Sequence, residues 1–179
     1  MTRTGKLYIV NVNYVIYKNQ VKEKRAFKDA YRIMKKIGAF LLSLVMLLSV
    51  IVLPTNTTQA AEAMPTVSYS VHAQSYGWMN PAQNGKMAGT TGKGKRLEAI
   101  KIDLKTQGVT GGIVYNTHVQ SLGWTKDVSN NGVSGTTGQS KRIEAICMHL
   151  TGDITAYYDI YYRVHAQSYG WLAWAKNGQ

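Results

Sequence analysis

Three tryptophans recur at nearly equal intervals, each closing a seven-residue phrase: HAQSYGW at 72–78, HVQSLGW at 118–124 and HAQSYGW at 165–171. Trp78, Trp124 and Trp171 stand 46 and 47 residues apart. An indole face can stack on a sugar ring and shed water, while neighbouring imidazole and amide groups fix the orientation of what is bound. His72 and Gln74, His118 and Gln120, and His165 and Gln167 offer such groups in every copy. The alternative is that each tryptophan closes the core of its own repeat, because a residue used once per unit often serves the architecture. Trp174 lies outside the shared phrase and is the better surface candidate.

Other chemistry finds little to work with. A glycosidase needs two carboxylates about 5 to 9.5 Å apart across a cleft. After residue 63 the acidic residues are Glu98, Asp103, Asp127, Glu144, Asp153 and Asp159. Glu98 and Glu144 occupy equivalent repeat positions beside Arg96 and Arg142, which suits structural ion pairs and not acid catalysis. No nucleophile elbow, zinc-protease helix or phosphate loop occurs. His72, His118 and His165 could meet on a symmetry axis to hold zinc, but no Cys or carboxylate stands at ligand spacing beside them. The chain is therefore expected to be no enzyme and to carry no metal and no cofactor. Cys147 is the one cysteine, so no internal disulfide framework exists. It falls where the first repeat has Lys101, a position expected to face solvent, as an idle thiol or an intermolecular bridge.

The elements that must position these residues read as strands. Tyr69, Val71 and Ala73 alternate with Ser70, His72 and Gln74; Tyr115, Thr117 and Val119 alternate with Asn116, His118 and Gln120; Tyr162, Val164 and Ala166 alternate with Arg163, His165 and Gln167. This period of two predicts a half-buried strand with Tyr, Val and Ala inward. Gly77, Gly123 and Gly170 break each strand just before its tryptophan. A second phrase, GTTGKGKRLEAI at 89–100 and GTTGQSKRIEAI at 135–146, leads into second strands over 95–104 and 141–150. Alternation there sets Arg96 and Glu98 on the face of Ile100, Ile102 and Leu104. Either the Arg–Glu pair is partly buried at the strand entrance, or a bulge between Ala99 and Ile100 resets the phase; the first is preferred, because no glycine marks a bulge. No stretch after residue 64 shows a helical period.

The fold class is all-β, in tandem repeats of about 46 residues whose units complete one another's core. Three copies fit a pseudo-threefold, trefoil- or prism-like assembly. Repeat 1 spans 64–110, repeat 2 spans 111–156, and repeat 3, at 157–179, lacks the second phrase and strand. An open strand edge is expected where that missing segment would pair.

The net charge of +12 divides into +7 up to Ala63 and +5 beyond it. The apolar run at 37–53, the Lys35-Lys36 before it and Ala61-Glu62-Ala63 after it make residues 34–63 a secretory signal, with cleavage expected after Ala63. A retained membrane anchor is the competing reading of that run. Residues 1–33 look like an over-extended N-terminus upstream of a start at Met34. Export argues against nucleic acid as a partner.

The HAQSYGW and GTTGQSKRIEAI phrases, repeating at about 46 residues over 67–179, resemble the clostridial hydrophobic W (ChW) repeat family. The resemblance implies a secreted or cell-surface protein of a clostridial-type bacterium. It also implies non-catalytic binding of an extracellular polysaccharide or surface protein, with contact to the membrane only through an uncleaved signal. Its tryptophans fall on Trp78, Trp124 and Trp171, and its glycines on Gly77, Gly123 and Gly170. Many units of that family carry a second tryptophan three residues on. Trp174 keeps it, whereas Pro81 and Asp127 replace it.

Overall fold

A computed structural model describes residues 7–17 and 64–179. They belong to one compact body. The signal segment at 34–63, its expected helix and the Ala63 cleavage point lie outside the described residues.

The regular secondary structure of the body is almost entirely antiparallel strand. Strand β1 (Leu7–Tyr17) precedes three units. Unit 1 holds β2 (Thr66–Ala73), β3 (Gly77–Trp78), β4 (Ala82–Gln83), β5 (Met87–Gly89) and β6 (Leu97–Lys105). Unit 2 repeats the order with β7 (Gly112–Val119), β8 (Gly123–Trp124), β9 (Val128–Ser129), β10 (Val133–Gly135) and β11 (Ile143–Thr151). Unit 3 has β12 (Tyr158–Ala166), β13 (Gly170–Trp171) and β14 (Ala175–Lys176). In each unit the first strand is central. One edge of β2 pairs with β6 and the other with β3 and β4, and β7 and β12 follow the same plan.

Period-two patterning places the core as expected. Tyr69, Val71, Ala73, Tyr115, Tyr162, Val164 and Ala166 are buried and join Ile100, Ile102, Ile113, Met148 and Ile160 in one cluster fed by all three units, and Val119 is buried as well. Thr117, the register equivalent of Val71 and Val164, is buried too, and its hydroxyl lies 2.9 Å from that of Ser134. Full burial of a large apolar side chain contributes about 1.5–3 kcal/mol. A shared interior therefore makes each unit's stability depend on its neighbours.

An asparagine clamps the first strand of every unit. Asn84 Oδ1 accepts the Val67 N–H at 3.0 Å and the Asn84 N–H returns to the Val67 carbonyl at 3.1 Å. Asn130 does the same for Ile113, and Asn177 for Ile160. The turn that carries each tryptophan is also repeated: Gly77, Gly123 and Gly170 sit at φ +66°, +78° and +69°, as the sequence anticipates.

Three expectations are corrected. First, both accounts of the Arg–Glu position hold in part. A bulge is present, but at Glu98, which is the extra residue between the pairs Leu97↔Ala73 and Ala99↔His72; Glu144 repeats it between Ile143↔Val119 and Ala145↔His118. Leu97, Ala99 and Ile100 are consequently all buried, and the Arg–Glu pair forms as well. A bulge whose extra residue stays out of the left-handed region needs no glycine, so the absence of glycine was no evidence against it. Second, the edge of β12 that was expected to be open is closed. β1 pairs along it from Leu7↔Ala166 to Tyr17↔Tyr158, with a register shift between Leu7 and Ile9 that copies the bulge of β6 and β11. Residues 7–17, read as over-extended translation, thus stand in the register of a second strand. Third, one helical turn occurs: α1 (Ile154–Tyr157) buries Ile154 between units 2 and 3, with the Ile154 N–H bonded to the Thr110 carbonyl.

The units are laced together by short straps and by tyrosine hydroxyls. β10 of unit 2 pairs with β6 of unit 1 (Gly135↔Ala99), and β5 of unit 1 pairs with β1 (Gly89↔Ile9) at the same register position. Tyr115 Oη accepts the Ile102 N–H at 2.8 Å and donates to the Gly132 carbonyl, joining units 1 and 2. Tyr162 Oη accepts the Met148 N–H at 3.4 Å and donates to the Gln179 carbonyl at 2.6 Å, joining units 2 and 3.

Burial pushes the Tyr162 phenol up to about 12, against the smaller opposing effect of the Met148 amide. The folded state thus favours the neutral phenol. Its contribution is complete below the unfolded value near pH 10 and is lost as pH rises toward the folded value. Stability is expected to fall between about pH 10 and 12, and Tyr162→Phe should flatten that limb in a pH series of thermal melts.

Candidate functional site

The three His–Trp pairs form one motif used three times. Each histidine lies on the outer face of a first strand, directly opposite its tryptophan across the hairpin: His72↔Trp78, His118↔Trp124 and His165↔Trp171. Opposed side chains on neighbouring strands sit close enough to pack. The imidazole meets the indole edge to face, at ring separations of 5.6, 5.5 and 5.5 Å and interplanar angles of 81°, 83° and 89°.

The bulge supplies the next layer. By inserting Glu98 as an extra residue beside the His72↔Ala99 pair, it sets the carboxylate against the imidazole. Glu98 Oε1 takes Arg96 Nη2 at 2.8 Å, and Oε2 lies 3.0 Å from His72 Nδ1. Unit 2 reproduces this with Arg142–Glu144 at 2.8 Å and Glu144–His118 at 3.2 Å. Each Nδ1 is in close polar contact with the carboxylate without forming a hydrogen bond to it. Each chain of Arg, Glu, His and Trp is therefore anchored at one end by an ion pair and ends in an indole. In unit 3 the register position of the glutamate belongs to Tyr8 of β1.

The tryptophans themselves are not core residues. Trp78 is 39% exposed, Trp124 49% and Trp174 41%, and Trp171 is half-buried. The recurring indoles close no interior, which removes the core-anchor alternative, and the core is filled by the tyrosines, valines and isoleucines of the strands. Tyr76, Leu122 and Tyr169 are exposed at the turns beside them, and Met87 and Val133 are exposed on the straps. In unit 1 the side chains of Tyr76, Trp78, Asn80 and Met87 line an open groove.

Cations sit on three of these faces. Lys101 Nζ lies 5.0 Å from the Trp78 ring, and the Arg163 guanidinium is 4.5 Å from Trp171 and 4.6 Å from Trp174. Arg163 falls at the position of Ser70 and Asn116, and Trp174 at that of Pro81 and Asp127. In unit 2 the same pair of positions makes a hydrogen bond, Asn116 Nδ2 to Asp127 Oδ1 at 2.7 Å. Trp174 is thus a surface residue as expected, but one that holds Arg163. That role was not legible, because the two residues are eleven positions apart and meet only through the hairpin.

The glutamines take a smaller part. Gln74 and Gln120 use their backbone N–H groups to bind the Arg96 and Arg142 carbonyls at 3.0 and 2.9 Å, and Gln167 is exposed. The three histidines do not converge; each stays with its own tryptophan. Among the described residues no group of three His, Cys, Asp or Glu side chains could hold a metal ion. Cys147 is half-buried with its thiol 3.4 Å from the Gly178 carbonyl. Burial and the charge of Asp127 push the thiol up. Alkylation by iodoacetamide is expected to reach half its maximal rate above pH 9, the ordinary thiol value being 9.0.

These features define a tandem-repeat protein of antiparallel β units, each displaying a braced indole on its surface. The model of the clostridial hydrophobic W family, ChW, matches the chain twice, over residues 72–106 and 118–152, and these stretches are ChW repeats. Each match begins at the histidine of the shared phrase and runs through the second strand. Unit 3 lies outside both matches, although its strands, turn and His–Trp pair copy those of units 1 and 2. No curated protein and no solved structure matches the chain.

Proposed function

We propose that the protein is a non-catalytic binding module of the cell exterior that engages a glycan through its exposed indoles. The observation that carries this reading is that Trp78, Trp124 and Trp174 are exposed while the core is complete without them. The part of each indole left in water adds no burial to the free protein, and exposed apolar surface of this kind marks interaction sites. The His edge and the Glu–Arg pair behind it hold Trp78 and Trp124 before a ligand arrives, which lowers the cost of ordering them on binding. Export would follow from the apolar run at 37–53 and the A-x-A end at 61–63. N-terminal sequencing of the protein from culture medium is expected to start at Met64. A start upstream of residue 34 would count against export by that signal.

Trp124 is the most exposed of the three repeated indoles. Trp124→Ala is expected to weaken retention on the target polysaccharide roughly tenfold, about 1.4 kcal/mol, with little change in the thermal midpoint. The measurement is a pull-down on a panel of insoluble polysaccharides, paired with a thermal melt. A large fall in the midpoint with binding unchanged would mark Trp124 as structural. A second reading, assembly with another surface protein, is favoured by the surface cluster of Arg163, Trp171 and Trp174, since Trp and Arg are enriched at protein–protein interfaces. Retention by isolated cell-surface proteins, with none by the polysaccharides, would select it.

A further inference from the structure

We propose that the outer edge of β11 at Ala145–Cys147 is a strand-acceptor site for an extended segment of the type apolar–Ala–Gly–Thr–Thr–Gly, the type that unit 1 lays on β1. The basis is internal. Second strands stand at three equivalent places, β6, β11 and β1, and two of them carry a strap on the outer edge. β10 lies on β6 with Val133↔Lys101, Ser134↔Ile100 and Gly135↔Ala99, and β5 lies on β1 with Met87↔Asn11, Ala88↔Val10 and Gly89↔Ile9. The same register on β11 would set the three strap residues opposite Cys147, Ile146 and Ala145. Among the described residues β11 pairs with β7 alone.

The consequences show in burial. Glu98 and Ala99, under the strap on β6, are buried, whereas Glu144 and Ala145 are half-buried. Ile100 is 0% exposed and Ile146 is 8% exposed. An edge strand with outward backbone groups is a template for another strand, and strand addition is a common mode of peptide recognition.

The existing straps define what fits. Their middle residues, Ala88 and Ser134, are small and buried. The glycine that follows comes too close for a side chain, since a Cβ on Gly135 would lie 2.4 Å from the Glu98 carbonyl oxygen. The middle residue also reads its surroundings. Ser134 meets the hydroxyls of Thr117 and Thr125 at 2.9 and 3.0 Å. The equivalents of those threonines are Val71 and Met79 in unit 1, where the strap has Ala88, and Val164 and Leu172 in unit 3. A strap over unit 3 would therefore meet apolar neighbours and should carry alanine, because a buried hydroxyl there would lack a partner.

The test uses the full chain and a synthetic nonapeptide of the sequence of residues 84–92, NGKMAGTTG. Hydrogen exchange is followed at the Ile146 amide. The expected result is at least tenfold slower exchange at saturating peptide, a weaker effect with Ser for the alanine, and none with Ala for the first glycine after it. No protection of Ile146 at millimolar peptide would overturn the proposal. So would equal protection by the glycine-to-alanine peptide, which would show a contact that does not reproduce the strap.

Discussion

Gly135→Ala is expected to lower the stability of the whole body by about 3 kcal/mol or more, whereas Gly138→Ala, three residues along the same loop, should cost only about 1 kcal/mol. Both glycines have positive φ, +109° for Gly135 and +72° for Gly138. A side chain is thus strained at either site. The difference is what it would meet. Nothing lies within 4 Å of a Cβ at Gly138, but at Gly135 a Cβ would be 2.4 Å from the Glu98 carbonyl oxygen and 2.7 Å from Ala99 Cα. These are backbone atoms of β6 beside its bulge and cannot turn aside. Relief requires the strap to lift off β6, which breaks the Thr136 N–H bond to Glu98 O, 2.9 Å long, and uncovers Ala99 and Ile100. Urea unfolding of the two variants checks this, and a larger loss at Gly138 would contradict it.

Tyr115→Phe should have the second largest effect, a loss on the order of 2–4 kcal/mol despite the retained ring. The ring fills the same core volume, so the cost comes from what the hydroxyl leaves behind. The Ile102 N–H, bonded to Tyr115 Oη at 2.8 Å, would be left as a buried donor, and the Gly132 carbonyl would lose its donor. Each orphaned group costs about 1–3 kcal/mol. Both lie on the junction of units 1 and 2, so the loss falls on coupling between units. Burial, with the nearby Asp103 charge adding to it and the Ile102 amide opposing it, raises the Tyr115 phenol. Alkaline titration should therefore destabilise the native protein more than Tyr115→Phe. Equilibrium unfolding of the variant, followed by circular dichroism, is the check; a change under about 0.5 kcal/mol, the range of a neutral surface substitution, would show that the hydroxyl is dispensable.

The first strands were readable because their period is strict. Tyr69, Val71 and Ala73 face in and His72 faces out, and units 2 and 3 repeat the pattern closely enough to set register. The bulges at Glu98 and Glu144 were less visible. A single extra residue without glycine leaves no mark in composition, and only the partner strand reveals it. β1 was missed because Leu7–Tyr17 lies before a signal-like segment and shares little wording with the second phrases. Its identity as a second strand shows only in the register, where Leu7 takes the place of Leu97 and Ile143. α1 is four residues long, too short to display a helical period. For the candidate site, the recurrence of His and Trp located the paired residues but could not decide the face of the indoles. That depended on the hairpin turn, which folds Trp78 back over His72 on the outer side of the sheet.

The central claim is that the units share one interior and stand or fall together. The most direct measurement is residue-resolved native-state hydrogen exchange on the full chain under mild denaturant, reading the amides of Val71, Thr117 and Val164. All three lie on central strands at equivalent register and are buried. The account predicts that they exchange through one opening of common free energy and common denaturant dependence. Three separate free energies, with one unit opening while the others stay protected, would contradict it.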